Sequence, residues 1–325
     1  MIYVKFSSPD VSLNLAAEYY FAAERDLGED VFMLWQPRPT IVVGSFQNIH
    51  EEVDVAYAGK RGIDIVRRLS GGGTVYQDEG SVQFAFIEKR EGDIDFRRYL
   101  EPICTSLCEL GIDAEINGRN DITVDGRKVS GNSQYRVAGK TVHHGTLLFS
   151  VDIDEMERAT RLPDYKIASK GIKSVRSRVC NMAPLTDKVK TPEEFMDFLA
   201  VRMTGERVYE PDEAEHERIS AIAEEKFRAE RHGNLSLKSP KFDFEKHLPF
   251  DGGNVIIRLM VKSGRIETCE VKGDFFTNMG TESLIRSLLG CEFTCESVFE
   301  AVKNSGFSAL GITAESLAER LSEGI

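Results

Sequence analysis

The stretch Arg67-Arg68-Leu69-Ser70-Gly71-Gly72-Gly73-Thr74-Val75-Tyr76 organises the reading of this chain. An arginine pair runs into three consecutive glycines, so cations and backbone amides can turn toward a single anion, as in a phosphate cradle. The lysine and hydroxyl residue that complete a P-loop are missing, and the glycines are not spaced as a dinucleotide fingerprint. The same triplet also suits an ordinary tight turn. Downstream, Ser81-Val82-Gln83-Phe84-Ala85-Phe86-Ile87 alternates as a strand. The glycines therefore join two extended segments, and their amides, not a helix dipole, are expected to meet the anion.

Working outward, 325 residues exceed the length at which one core usually stops growing, and two domains are expected. Lys and Arg number 41 against 53 Asp and Glu, a net charge of -12 that argues against nucleic acid as a partner. The first twenty residues do not read as a secretory signal, and no apolar run reaches membrane-spanning length, so a cytoplasmic protein without a membrane partner is expected. Six cysteines include no CxxC pair, and the Cys104/Cys108 and Cys291/Cys295 spacings fit reduced, buried thiols on helix faces.

Local patterns predict a helix from Leu13 to Leu27 stopped at Gly28, strands at 31–36 and 40–46 separated by Pro37 and Pro39, and a helix over 95–110 that Pro102 kinks or delays. Asp125-Gly126 between two alternating runs is a strong hairpin signal, and a second hairpin turns near Gly139. Thr191-Pro192-Glu193-Glu194 caps a helix reaching about Met203, and another is expected from Glu213 to Arg228. Residues 229–245 lose periodicity and mark a join. Beyond it, two strands about Lys262-Ser263-Gly264 and three amphipathic helices predict a small α+β domain. The expected domains are 1–240 and 246–325.

Lys128 follows the Asp-Gly turn. If Val129 faces the core, period two turns Lys128 the other way, as a solvated edge residue or a catalytic one. Asp121, in Gly118-Arg119-Asn120-Asp121, suits either a strand cap or a metal-bridged phosphate contact. His143 and His144 are neighbours in a strand, so they point to opposite faces and cannot share a metal. Residues 161–178 carry six cations and one acid, a solvated basic loop or a lid over an anion.

Together, RRLSGGGTVY, GRNDI, RKVSGNSQY, HHGTLL and KGIKSVRSRV resemble, in order and spacing, the motifs of the lipoate-protein ligases, and the segment from GRIETCEVKGDFF onward is similar to their C-terminal accessory domain. The resemblance spans nearly the whole chain. It implies an α+β fold of the biotin/lipoate ligase kind, a mixed sheet with surrounding helices related to class II synthetase cores. It implies two reactions: lipoate attacks ATP, with Mg²⁺, to give lipoyl-AMP, and a lysine of a lipoyl domain of 2-oxoacid dehydrogenase complexes or of the glycine-cleavage H protein then takes the acyl group.

Carried over motif by motif, the resemblance assigns Arg68, Ser70, Gly71, Gly72, Gly73, Thr74, Val75 and Tyr76 to ligand binding. From the next motifs it adds Asn120, Asp121, Lys128, Ser130, Gly131 and Asn132, and from HHGTLL it adds His144, Gly145 and Thr146. Lys128 is the expected catalytic group, bridging lipoate and nucleotide, and Asp121 the expected metal contact. The 164–178 loop is expected to order over the adenylate, and docking to acidic lipoyl domains to need a local basic face such as 161–178. Gln77 stands where the family often has histidine, and Ser45 where it often has arginine. Two alternatives stay open: an ATP-independent octanoyl or lipoyl transferase using a cysteine such as Cys180, and a non-catalytic lipoate or adenylate sensor.

Overall fold

The computed structural model describes residues 1–90, 92–160, 175–228, 242–323 and 325. The chain divides into two compact units: 1–43, 49–69 and 74–235 form the first, and 44–48, 70–73 and 236–325 the second. The second unit thus takes two short segments from the first third of the chain, one of which is the glycine triplet.

The first unit is built on strands β1 (Ile2–Val4), β2 (Val31–Trp35), β6 (Ser81–Glu88), β7 (Glu115–Asn117), β8 (Asp121–Val124), β9 (Arg127–Val137), β10 (Lys140–Leu148) and β11 (Val208–Tyr209). They form one mixed sheet of eight strands in the order β11-β1-β2-β6-β10-β9-β8-β7. A smaller sheet, β4-β3-β5, holds β3 (Thr40–Val43), β4 (Asp64–Arg67) and β5 (Val75–Gln77). Pro37 and Pro39 therefore pass the chain from one sheet to another, since a proline cannot continue a ladder.

Helix α1 (Val11–Ala23) is capped by Asp10, whose carboxylate accepts from the Ser12 amide. It ends at Ala23, short of the expected Leu27, and Gly28 (φ 75°) turns the chain four residues beyond the cap Glu24. Short helices α2 (Ile49–Glu52), α3 (Val55–Arg61) and α5 (Ile153–Ala159) flank the small sheet, and α4 (Arg97–Glu109) accommodates Pro102 inside. Helix α6 is Val175–Arg178, α7 is Pro192–Thr204 with Thr191 accepting from the Glu194 amide, and α8 is Glu213–Ile222. The last runs on as a π-helical segment, Ala223–Arg228, where a continuous α-helix is expected from sequence.

One face of the large sheet packs α1 and the small sheet. Val31, Met33, Trp35, Ala85, Ile87, Tyr135 and Val142 meet Leu15, Phe21, Val42 and Val66 in a single apolar cluster. The opposite face is aromatic. Tyr99 of α4 stacks on His143 with ring centroids 4.5 Å apart, beside Phe84, Phe86 and Phe96. Burial pushes the His143 imidazole well below its ordinary value, so it serves there as a neutral core side chain.

The second unit carries an antiparallel sheet of β12 (Phe244–Phe250), β13 (Gly253–Lys262) and β14 (Arg265–Gly273), with helices α9 (Glu282–Leu288), α10 (Cys295–Asn304) and α11 (Ala314–Ser322). Val255, Ile257, Leu259, Phe275, Leu284, Val302 and Leu317 form its core. Strand β12 is absent from the sequence reading, because its alternation is diluted by Pro249 and charged residues suited to an edge. The expected join at 229–245 lies outside the described residues up to 241. No described helix is long and apolar enough to cross a membrane. All six cysteines are free, but Cys108 and Cys295 are exposed, which corrects the expectation of buried thiols.

Candidate active site

The hairpin turns set the register from which the site follows. Asp125 (φ 49°) and Gly126 (φ 71°) both lie in the left-handed region, as a two-residue type I′ turn demands, and so do Ala138 and Gly139. Across the sheet, Trp35 pairs with Gln83, Gln83 with Thr146, Thr146 with Gly131, and Gly131 with Asp121. These five residues form one row on one face, the face that packs α1. Two residues further along each strand stand Met33, Ala85, His144 and Ser133.

Lys128 joins the end of that row through a β-bulge. Thr123 pairs with Lys128 and Ile122 with Ser130, leaving Val129 without a partner. In a regular strand, residues three apart face opposite ways, and the extra residue cancels that. Lys128 Nζ accordingly donates to Asp121 Oδ1 at 2.8 Å. A Cβ added at Gly131 would fall 2.7 Å from the same ammonium. The absence of a side chain at 131 is what leaves room for it. Both partners are about one-third exposed, so the pair is accessible to a ligand.

Polar side chains knit the rest of the row. Gln83 Nε2 donates to Thr146 Oγ1 and Ser81 Oγ, both at 3.1 Å, and its Oε1 accepts from Gln77 Nε2 at 2.8 Å. Gln77 Oε1 is buried with no hydrogen-bond partner among the described residues. Behind Thr146, His144 Nδ1 lies 2.8 Å from Oε2 of Glu18, a helix residue with no solvent exposure. Sequence reasoning missed Glu18; the only signal was an acid inside an otherwise apolar helical run.

Arg68, at the end of β4, is buried and bonds the Val42 carbonyl through Nη1 at 3.2 Å. Desolvation, with Arg67 adding, pulls its guanidinium down to about 10, against the field of Glu18. It remains a cation at neutral pH, stripped of water, so its field is poorly screened. Tyr76 is buried and Thr74 and Val75 partly so, at the entry to β5.

Ser130, Asn132 and Gly145 do not face the row. Asn132 Nδ2 donates to the Asn120 carbonyl and to Ser130 Oγ, while Asn120 Nδ2 donates back to the Asn132 carbonyl. These bonds fasten the 118–120 turn to β9. A Cβ at Gly145 would meet Asn132 Oδ1 at 2.0 Å and the Phe84 ring at 2.5 Å, so glycine is required there by packing.

In the second unit, Gly71 and Gly72 of the glycine triplet pack against backbone. Gly72 (φ 88°) donates its N–H to the Phe275 carbonyl at 3.2 Å, and a Cβ at Gly71 would lie 2.2 Å from the same oxygen. The Ser45 amide donates to the Ser70 carbonyl, and Phe46 stacks on Phe275 at 4.7 Å. The Gly72 amide, expected to meet an anion, is thus committed to a carbonyl here. Residues 161–174 of the basic loop lie outside the described residues.

Compared with known proteins, residues 10–204 match the family described as the lipoyl protein ligase A/B catalytic domain, and residues 239–321 match the bacterial lipoate protein ligase C-terminus. The chain belongs to the lipoate-protein ligase family. It is 39% identical to the lipoate-protein ligase LplJ of Bacillus subtilis over 86% of each chain, and 38% identical to lipoate-protein ligase 1 of Staphylococcus aureus over 90% of each. In fold it resembles the crystal structure of P. falciparum LipL1 in complex with lipoate, with a TM-score of 0.79 over 99% of this chain and 98% of that one at 20% identity. Like these ligases, it is an enzyme with the mixed α+β architecture and a separate three-stranded C-terminal unit.

Proposed function

We propose that the chain ligates lipoate to protein in two steps, with ATP as the activating cosubstrate. A lipoate carboxylate oxygen bonds to the α-phosphorus while the bond to the bridging oxygen breaks and pyrophosphate leaves. The amine of an acceptor lysine then attacks the acyl carbon, loses a proton, and releases AMP. The observation that carries this reading is the Lys128 ammonium, held over side-chain-free Gly131 at the end of a polar row.

The first step must bring two anions together. Two unit charges at 4 Å repel by about 4 kcal/mol at an effective dielectric of 20, roughly three decades in rate. Lys128 offsets that repulsion at the point of attack, and desolvated Arg68 does so on the nucleotide side. Thr146, with Gln83 and Gln77, supplies neutral polar contacts, and the Met33, Val42 and Val66 cluster suits an apolar acyl chain. Thr74, Val75 and Tyr76, at the entry to β5, serve the phosphates through backbone, whereas the Gly72 amide is taken up by the Phe275 carbonyl.

For Mg²⁺ the protein offers one hard oxygen ligand in this row, Asp121. No group of three or more His, Cys, Asp or Glu side chains that suits a metal occurs among the described residues. That fits an ion carried chiefly by the triphosphate, with Asp121 as its protein contact, where it would neutralise phosphate charge. The acceptors are lipoyl domains of 2-oxoacid dehydrogenases and the glycine-cleavage H protein, and the free cysteines suit a reducing cytoplasm.

The transferase alternative needs a thiolate. Cys180 is buried and its thiol is pushed up by desolvation, which disfavours a nucleophile. The test is lipoate-dependent exchange of pyrophosphate into ATP, run beside octanoate and biotin. Exchange with lipoate is expected; none with any acid would leave a sensor, and exchange with biotin alone would mean another acyl group.

A further inference from the structure

We infer that Arg127 and Arg178 form a docking doublet that receives an acidic face of the acceptor protein beside its reactive lysine. This rests on the ligase reading and adds to it the surface by which the second substrate arrives.

Val179 forms an isolated parallel bridge with Lys128, and the Cys180 amide donates to the Lys128 carbonyl at 3.0 Å. Each arginine immediately precedes one member of that bridge, so the two stand at the same end of it, next to Lys128. Both are exposed. Neither makes an ion pair with a described residue, and the nearby acids leave them so: Asp121 is engaged by Lys128, and Asp125 pairs with neither. Elsewhere on this surface arginines find carboxylates readily, as Arg25, Arg61, Arg97, Arg202 and Arg218 do.

Adjacent like charges without counter-ions cost stability in the free protein. They gain a purpose if a partner supplies the missing acids. The chain carries a net charge of -12, so an acidic protein is repelled over most of its surface and drawn to a place where cations stand without an ion pair among the described residues. Exposure separates this doublet from Arg68, which is buried, and from the half-buried Lys128, whereas Arg127 and Arg178 are exposed. Rim charges act on encounter rate and salt dependence more than on chemistry.

The test uses the full chain and a lipoyl domain bearing acidic residues around its lysine. Arg127→Glu is expected to leave lipoate-dependent pyrophosphate exchange within about twofold of the unmodified chain, yet to raise the half-saturating acceptor concentration roughly tenfold, and adding Arg178→Glu should raise it further. Salt should weaken acceptor capture by the unmodified chain and, by screening the new like-charge repulsion, improve it in the double variant. An acceptor with its acidic face changed to lysine should recover capture by the double variant. The inference fails if acceptor capture is unchanged, or if exchange falls in step with it in Arg127→Glu, which would assign the arginine to the nucleotide. If the unmodified chain shows no exchange at all, the ligase reading falls and this inference with it.

Discussion

Lys128 and Gly131 face the same way on one strand because Val129 is bulged out between them. The ammonium then occupies the volume a side chain at 131 would fill. Gly131→Ala is therefore expected to act as a Lys128 variant. The added methyl meets the far end of a flexible chain, so the fold should survive while the ammonium is displaced. Losing one such electrostatic contact costs about 10²- to 10³-fold in the chemical step. Pyrophosphate exchange should fall by that order in both Gly131→Ala and Lys128→Ala, with urea midpoints near that of the parent. Native exchange in either variant would separate Lys128 from the chemistry.

What sequence could disclose here follows from physics that acts locally. Asp125-Gly126 announces its hairpin because two consecutive positive φ angles strongly favour Asp and Gly, whereas at the second hairpin Gly139 alone carries that mark and Ala138 adopts φ 49° without it. The alternation of Ser81 to Ile87 announces a strand for the same kind of reason. The bulge at Val129 was not legible, since a single extra residue leaves no compositional mark, and so the face of Lys128 was read from a period that the bulge breaks. Glu18 was hidden because its partner His144 lies 126 positions away. The glycine triplet looked like an anion cradle, and its packing on Phe275 depends on a segment two hundred residues downstream.

That packing makes Gly71 and Gly73 differ. An alanine at 71 would place its Cβ 2.2 Å from the Phe275 carbonyl oxygen, and since backbone stands on both sides neither can yield cheaply. At Gly73 nothing lies within 4 Å. Gly71→Ala is expected to destabilise the second unit by about 1–3 kcal/mol, the usual cost of overpacking, and Gly73→Ala to leave it near parental. Scanning calorimetry on the two variants checks this, and equal transitions would refute the packing account.

Asp10 ties the N-terminus of α1 to the π-helical segment. Burial works to raise its carboxyl, but the hydrogen bond from Arg228 at 2.6 Å and the Ser12 amide hold it below the ordinary 3.8. A depressed folded value means stability that is fully present above 3.8 and lost as pH falls through the folded value. Arg228→Met should thus be less stable than the parent at pH 7, with the gap narrowing as pH falls below the ordinary 3.8 and through the depressed folded value. Urea midpoints across that range measure it; a gap that widens on acidification has the wrong sign.

Glu18 is the costlier arrangement, a carboxylate without solvent exposure whose Oε2 meets His144 Nδ1 while Oε1 finds no partner among the described residues. Removing one member of such a pair strands the other, which costs about 3–5 kcal/mol, whereas replacing both with apolar groups is often neutral. Glu18→Leu should therefore lower stability sharply and Glu18→Gln much less, because an amide oxygen can still accept from Nδ1. Adding His144→Leu to Glu18→Leu should recover much of the loss. The coupling energy from the four-way cycle of urea unfolding decides the matter. Additive losses would mean that the two side chains do not sustain one another.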